Sequence, residues 1–311
     1  MAPFDYAKLD LNGAEMQVEA WPWPFALLEE LVERTKPDLV YSWAQSPAVW
    51  RALRRARVRH HSVSVMFTDG CWTGSSRQRA LQIGFPFIRR YAFDNAFVPG
   101  VRGAEFAHRI GFPRASVLTG VFTDDITRFS SIAEDSSARW TDPSILFVGR
   151  LVPEKGTDIL AEGYRRYRDS VARPWPLHVV GRGPFDGGLR ELSGVTVDDF
   201  VQPDELPGIF AGAGAFVLPS RFDSWGMVVL DACAAGLPVV VSDGCGAADD
   251  LVTPANGFTV PVGDATRLAQ ALTTLTGADA VQRREWGRSS AEKASAYEPQ
   301  RWAETLLSVC R

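Results

Sequence analysis

Cysteine is scarce and scattered in this sequence. Cys71, Cys233, Cys245 and Cys310 form no CxxC pair and have no histidine at metal-ligand spacing. That excludes a zinc-ribbon arrangement and gives no sign of a disulfide framework. Cys233 lies in an apolar run and reads as a small core residue, so a reducing, cytoplasmic compartment is the expectation. Long apolar runs are missing too. None reaches the ~18 residues of a membrane-spanning helix, and no charged segment followed by a short apolar one opens the chain. The expected protein is soluble, or at most rests peripherally on the inner face of the membrane. Neither charge sign dominates, with 33 Lys and Arg against 37 Asp and Glu, so no nucleic acid is expected as a partner. Internal repeats and low-complexity tracts are absent.

What is present can bury a large core. Hydrophobic residues make up 46% of the 311, and the length suits two domains of about 150 residues. Residues 1–140 hold 17 Lys and Arg against 15 Asp and Glu, whereas residues 141–311 hold 16 against 22. The polar, proline-ended stretch around 135–143 is the expected linker. From residue 144 the pattern is regular. SILFVG (144–149), PLHVVGRG (176–183), VTVDDF (195–200), AFVLPS (215–220) and LPVVVSD (237–243) read as buried strands. Residues 157–171, 203–213, 226–236 and 264–277 have helical spacing. Alternation at this pitch predicts βαβ units on a parallel sheet. The first part is α/β as well but compressed, with a helix and strand over 26–45 and further strands over 61–70 and 115–120.

In an open α/β sheet, ligands bind beyond the carboxyl ends of the strands, where helix N-termini attract anions. FVGRLVPEKG (147–156) places Arg150 and Lys155 in a loop whose glycines, Gly149 among them, permit close backbone approach. That suits a diphosphate; a solvated basic loop is the other reading. VVGRGP (179–184), with Gly183, and SDGCGAADD (242–250) are weak signals alone. The loop after 215–220 presents Asp223, and the helix starting near Gly226 points its positive end the same way. Asp231 lies about five residues into that helix, roughly 7–8 Å along it. A buried carboxylate is costly unless something hydrogen-bonds it. A ribose would do so, and so would a capping or pairing role inside the core.

Taken in order, FVGRLVPEKG, VVGRGP, FVLPSRFDSWGMVVLDACAAGLPVVVSD and ANGFTVPVGD resemble the donor domain of the family 4 (group 1) retaining glycosyltransferases, over about residues 144–305. The resemblance implies the GT-B fold: two Rossmann-like parallel-sheet domains facing a cleft. An acceptor-side domain would span 1–140 and a nucleotide-sugar domain 141–311, with the last helix packing back on the first domain. Arg150 and Lys155 match the pair that binds the donor diphosphate, and Gly149 and Gly183 belong to the lining loops. Backbone amides of Ser224, Trp225, Gly226 and Met227 would lie near the sugar and phosphates. Asp223 would contact the transferred sugar as a catalytic residue, and Asp231 the nucleotide ribose. Both stand where the family's Glu-x7-Glu pattern has glutamate, each shorter by one C–C bond, roughly 1.5 Å.

The histidine that the family carries after an N-domain strand has no match. FTDG (67–70) occupies its place and leaves Asp69 as the catalytic candidate. The opening MAPFDYAKLDLNGAEMQVEAWPWP supplies neither the first strand nor the glycine-rich loop of the family. A reduced N-terminal domain, or a chain beginning downstream of the full reading frame, is the expectation.

The implied reaction moves a sugar, with retention, from a nucleotide-diphosphate sugar to a hydroxyl of a glycan or lipid-linked acceptor, as in polysaccharide biosynthesis. Arg150, Lys155 and the helix N-terminus would carry the leaving-group charge, so no metal and no cofactor beyond the donor is expected. The alternative is a non-catalytic nucleotide-sugar-binding or partner-docking protein of the same fold. A nicotinamide dehydrogenase does not fit, because VVGRGP lacks the full G-x-G-x-x-G spacing. Residues 51–90 hold nine arginines and one acid, Asp69, interleaved with aromatics and isoleucine. They read either as solvated helix faces or as a surface for an anionic membrane. His60 and His61 are expected to be structural or exposed.

Overall fold

A computed structural model describes residues 25–43, 46–134 and 138–310. The first 24 residues, on which the expectation of a missing strand and glycine loop falls, lie outside the described residues, as do 135–137 of the expected linker. The chain divides into two compact units. One runs to Thr123 and takes in Pro299–Arg311; the other is Asp124–Glu298.

The N-terminal unit alternates α1 (Phe25–Thr35), β1 (Leu39–Trp43), α2 (Pro47–His60), β2 (Val63–Phe67), α3 (Ser76–Ala92), β3 (Asn95–Val98), α4 (Val101–Arg109) and β4 (Val117–Thr119). Its four strands are parallel and lie in sequence order, β1-β2-β3-β4. Alternate residues of β2 and β3 feed two cores, as the period of a strand requires. Met66, Ala96 and Val98 pack with Phe85, Phe93 and Phe106 on one side. Val65 and Phe97 pack on the other with Trp302 and Leu306 of α12 (Pro299–Leu307). The Trp302 indole donates to the Val121 carbonyl at 3.0 Å, so its one polar atom is satisfied within the core. β3 and α4, over DNAFVPG and the residues after it, form where no element was expected.

The C-terminal unit begins with α5 (Thr127–Glu134), then β5 (Ile145–Val148), α6 (Thr157–Ser170), β6 (Leu177–Val180), β7 (Val195–Asp198), α7 (Leu206–Ala211) and β8 (Ala215–Leu218). It continues with α8 (Met227–Ala234), β9 (Val239–Ser242), α9 (Ala247–Leu251), β10 (Gly257–Val260), α10 (Ala265–Gly277) and α11 (Ala280–Ala294). The six strands are parallel in the order β10-β9-β8-β5-β6-β7. β8 and β9 are buried along their whole length, which is why they read as unbroken apolar runs rather than alternating ones.

The division falls after Thr123, ahead of the 140/141 boundary expected from the polar stretch. The physical reason lies in Arg139. Its buried guanidinium donates to the Ala235 and Gly236 carbonyls at 2.8 and 3.4 Å, satisfying orphan acceptors at the C-terminal end of α8. Burial lowers its pKa to about 10. A stretch that is polar in sequence is thus anchored in the C-terminal unit.

Candidate active site

The strand order reverses between β5 and β8: β6 and β7 follow β5 to one side, and β8, β9 and β10 lie on the other. Such a switch point is where open parallel sheets bind ligands. β5 pairs with β6 over four residues but with β8 only through Ile145↔Ala215 and Leu146↔Phe216. The ladder therefore stops short of the carboxyl ends. The loops leaving β5 and β8 there are the two that carry Arg150, Lys155 and Asp223.

Backbone contacts lock these loops together. Gly156 has φ +67° and ends a 3-10 turn over Pro153–Lys155. A Cβ at Gly156 would collide with the Pro219 carbonyl oxygen, so only glycine lets the two loops touch. The amide of Arg221 donates to the Glu154 carbonyl at 2.8 Å. Its guanidinium forks onto Asp158 at 2.6 and 2.5 Å and reaches the Pro153 carbonyl at 2.9 Å. The Arg221 hydrogen bond holds the Asp158 carboxyl below its usual range. Neither Arg221 nor Asp158 stood out in the sequence; the signal was an arginine at the strand end, opposite an acid in the first turn of α6. The loop after β6 joins the same knot. Phe185 donates its amide to the Leu151 carbonyl at 3.0 Å, and Gly183 approaches that carbonyl too closely for a side chain. Gly149 donates to the Val180 carbonyl at 3.0 Å.

Lys155 and Asp223 form an ion pair, both side chains largely covered. The loops expected to supply a diphosphate cation and a sugar-binding acid thus bring those two groups to each other. Lys155 is less exposed than a free basic loop would leave it. Arg150 is exposed and meets no carboxylate among the described residues. Asp223 is held by its backbone, donating to the Gly244 carbonyl at 3.0 Å and accepting from Gly246 at 3.1 Å. Gly226, at φ +97°, then opens α8, and a Cβ there would lie 2.5 Å from Cys245 Sγ. Among the described residues no side chain caps α8, which leaves the amides at its start, near Met227, to an anion.

Ser224 and Trp225 contribute to this corner by backbone only as far as Trp225 is concerned. Its ring is fully buried, its Nε1 donates to Asp250 at 2.8 Å, and it packs on Tyr297 at 5.2 Å between centroids. The Trp225 carbonyl accepts from Cys245 Sγ at 2.8 Å. This residue is a strut beneath the loop.

Asp231 is 6% exposed within α8. Burial, and after it the neighbouring Asp124 carboxyl, raises its pKa well above the ordinary carboxylate range, with Arg128 opposing. Like charges that close cannot both ionise cheaply, which is why the Asp124 carboxyl adds to the rise that burial causes. Asp231 Oδ1 is buried with no hydrogen-bond partner among the described residues. Asp124 is the residue that sequence reading missed here, because it lies more than a hundred positions upstream with no motif spacing to Asp231. Asp69 belongs to the N-terminal unit, half-buried in the loop after β2. His61 ends α2 in the left-handed region at φ +57°, and His60 Nε2 lies 3.3 Å from Glu33; both are structural positions.

Residues 142–277 match the family model described as "Glycosyl transferases group 1". The chain is 33% identical over 274 residues to a GDP-mannose-dependent alpha-(1-6)-phosphatidylinositol monomannoside mannosyltransferase of Mycobacterium tuberculosis, covering 80% of this chain and 69% of that protein. It is 28% identical over 287 residues to sulfoquinovosyl transferase SQD2 of Arabidopsis thaliana, covering 86% of this chain and 55% of that one. Among solved structures, Anabaena Alr3699/HepE in complex with UDP superposes with a TM-score of 0.71 at 17% identity, over 91% of this chain and 81% of that one. The chain belongs to the group 1 glycosyltransferases: it is an enzyme that transfers sugars, with two parallel-sheet α/β units of the GT-B fold.

Proposed function

We propose that the enzyme moves a sugar, with retention of anomeric configuration, from a nucleoside-diphosphate sugar to a hydroxyl of a glycan or lipid-linked acceptor. The observation that carries this reading is Asp231 Oδ1, a buried oxygen with no hydrogen-bond partner among the described residues, in the helix that begins beside Asp223. An orphaned buried acceptor is costly, and a ribose hydroxyl supplies the missing donor. Arg150, Lys155 and the amides opening α8 would hold the diphosphate. Their positive charge would stabilise it as the bond from the anomeric carbon to the β-phosphate oxygen breaks. The acceptor oxygen forms the new bond to that carbon and releases its proton. With cations already at the leaving group, the reading calls for no metal and no further cofactor. Lys155 would turn from Asp223 towards the phosphates, freeing Asp223 for the hydroxyls of the transferred sugar. Asp69 remains the acceptor-side candidate for taking the proton.

GDP-mannose is the first donor to test, since the mannosyltransferase relative is named as dependent on it, with UDP-sugars second. That relative's named acceptor is a phosphatidylinositol monomannoside, which supports an amphipathic acceptor. Incubation with labelled donors and a membrane extract tests the reading, with the anomeric configuration of the product read by NMR. Transfer with retention is expected. Inversion, or nucleotide binding without transfer to any glycan or lipid, would overturn it.

A further inference from the structure

The nine arginines of residues 51–90 do not behave alike in the structure. Arg55 pairs with Glu29 at 2.5 Å, Arg59 with Glu33 at 2.6 Å and Arg57 with Asp94 at 2.5 Å. Those three are neutralised within the unit. Arg54, Arg77, Arg79, Arg89 and Arg90 meet no carboxylate among the described residues. Arg79 donates to the Gly74 carbonyl at 3.1 Å, and Arg54 lies over the Tyr91 ring at 4.7 Å. The uncompensated charge is therefore gathered on α3 and the side of α2 next to it.

The same helix exposes apolar surface. Ile83 is 77% exposed and Phe87 74%, with Tyr91 exposed one turn further on. Spaced four apart, these three form one stripe along the solvent side. At about 100° per residue, Arg79 and Arg90 fall on one edge of that stripe and Arg77 on the other. A Cβ added at Gly84, beside the stripe, would meet nothing within 4 Å among the described residues. The rest of the helix is committed to the core, through Phe85 and Ala92.

We propose that this face of α3 docks on an anionic lipid surface, with Ile83, Phe87 and Tyr91 entering the headgroup–acyl boundary and Arg77, Arg79 and Arg90 meeting lipid phosphates. An apolar stripe between two rows of cations needs an apolar phase and anions within a few ångströms of each other, which the bilayer interface provides. A stable protein partner needs roughly 800 Å² of complementary surface on each side, and one helix edge with three large apolar side chains does not offer it. A nucleic acid would satisfy the arginines and leave the stripe in water. The inference deepens the lipid-linked acceptor reading given above, yet it stands on α3 alone, so either can fail without the other.

Co-sedimentation of the full chain with phosphatidylglycerol or phosphatidylcholine vesicles tests it, with nucleotide affinity of each variant as the measure of an intact fold. The wild-type chain should bind phosphatidylglycerol about tenfold better than phosphatidylcholine at low salt and release as salt rises. Ile83→Ser with Phe87→Ser should lose at least about tenfold in vesicle binding at constant charge. Arg77→Gln with Arg79→Gln and Arg90→Gln should lose the preference for phosphatidylglycerol. Nucleotide affinity should be unchanged in all of them. Equal binding to both vesicles, or full binding by the serine double variant, would overturn the proposal. So would a concentration-dependent dimer that Phe87→Ser dissolves, because a second copy would then be the occupant. Absence of vesicle binding by the wild-type chain, with transfer to a lipid acceptor intact, would sink the surface and spare the acceptor; vesicle binding as expected with no transfer to any lipid acceptor would do the opposite.

Discussion

The two units solve the problem of presenting a surface in different ways. In the C-terminal unit the loops beyond β5, β6 and β8 are fixed to each other by backbone hydrogen bonds and by glycines at which a side chain would collide with a carbonyl. In the N-terminal unit the surface of α2 and α3 is made of long side chains that either find an acid or stay in solvent. A backbone-locked site tolerates almost no change at its contact points and repeats the same residues in the same order. A side-chain surface tolerates many sequences and leaves no fixed pattern.

The sharpest way to break this comparison is a single methyl group. Gly156→Ala should destabilise the C-terminal unit by about 3 kcal/mol or more, since it adds a clash with a backbone oxygen to a positive φ. Urea unfolding followed by tryptophan fluorescence checks it. Next in size, Arg150→Ala should weaken nucleoside-diphosphate binding by about 1.5–3 kcal/mol, as for a hydrogen bond to a charged group, with the unfolding midpoint unchanged because Arg150 is exposed. Lys155→Ala should cost affinity as well, and in addition strand Asp223 half-buried without its partner.

The third prediction concerns pH. Asp231 titrates higher in the folded chain than in the unfolded one, so between those two values the folded state holds the extra proton. Its contribution to stability is therefore intact below the ordinary carboxylate range and declines as pH rises towards the raised value. The slope is at most about 1.4 kcal/mol per pH unit. Asp231→Asn, which cannot ionise, should flatten that slope in denaturation curves taken from pH 4 to 8. Smallest of all, Gly84→Ala on α3 should stabilise the N-terminal unit by about 0.5–1 kcal/mol. A glycine that can be replaced with profit in one unit, against one that cannot in the other, would sharpen the comparison most cheaply.

What was legible in the sequence follows the same division. Strands β5 to β9 and helices α6, α7, α8 and α10 lie close to where periodicity puts them, because buried parallel strands announce themselves as apolar runs, whereas α9 and β10 form where no element was expected. Asp223, Gly226 and the β5 loop were findable because a backbone-locked site needs glycine and turn residues at fixed offsets. Arg221, Asp158 and Asp124 were not, since their partners lie in other elements and only the fold brings them near. Asn256, in the ANGF stretch, is a structural anchor: buried, it donates to the Leu251 carbonyl at 2.9 Å and accepts from the Thr253 amide at 2.7 Å. In the N-terminal unit, composition revealed an arginine-rich surface, but three of those arginines are answered by acids on α1 and before β3. Only the fold makes that distinction.

The central claim is that Asp231 serves the nucleotide and Asp223 the sugar in flight. Calorimetric titration of a nucleoside diphosphate into the wild-type chain, Asp231→Asn and Asp223→Asn tests it most directly. Asp231→Asn should bind at least about tenfold more weakly, the cost of one hydrogen bond to a buried carboxyl group. Asp223→Asn should bind the diphosphate as tightly as wild type or more so, because Lys155 is released to the phosphates, while its turnover with a nucleotide sugar falls. Equal affinity in all three proteins, or a loss confined to Asp223→Asn, would contradict the account.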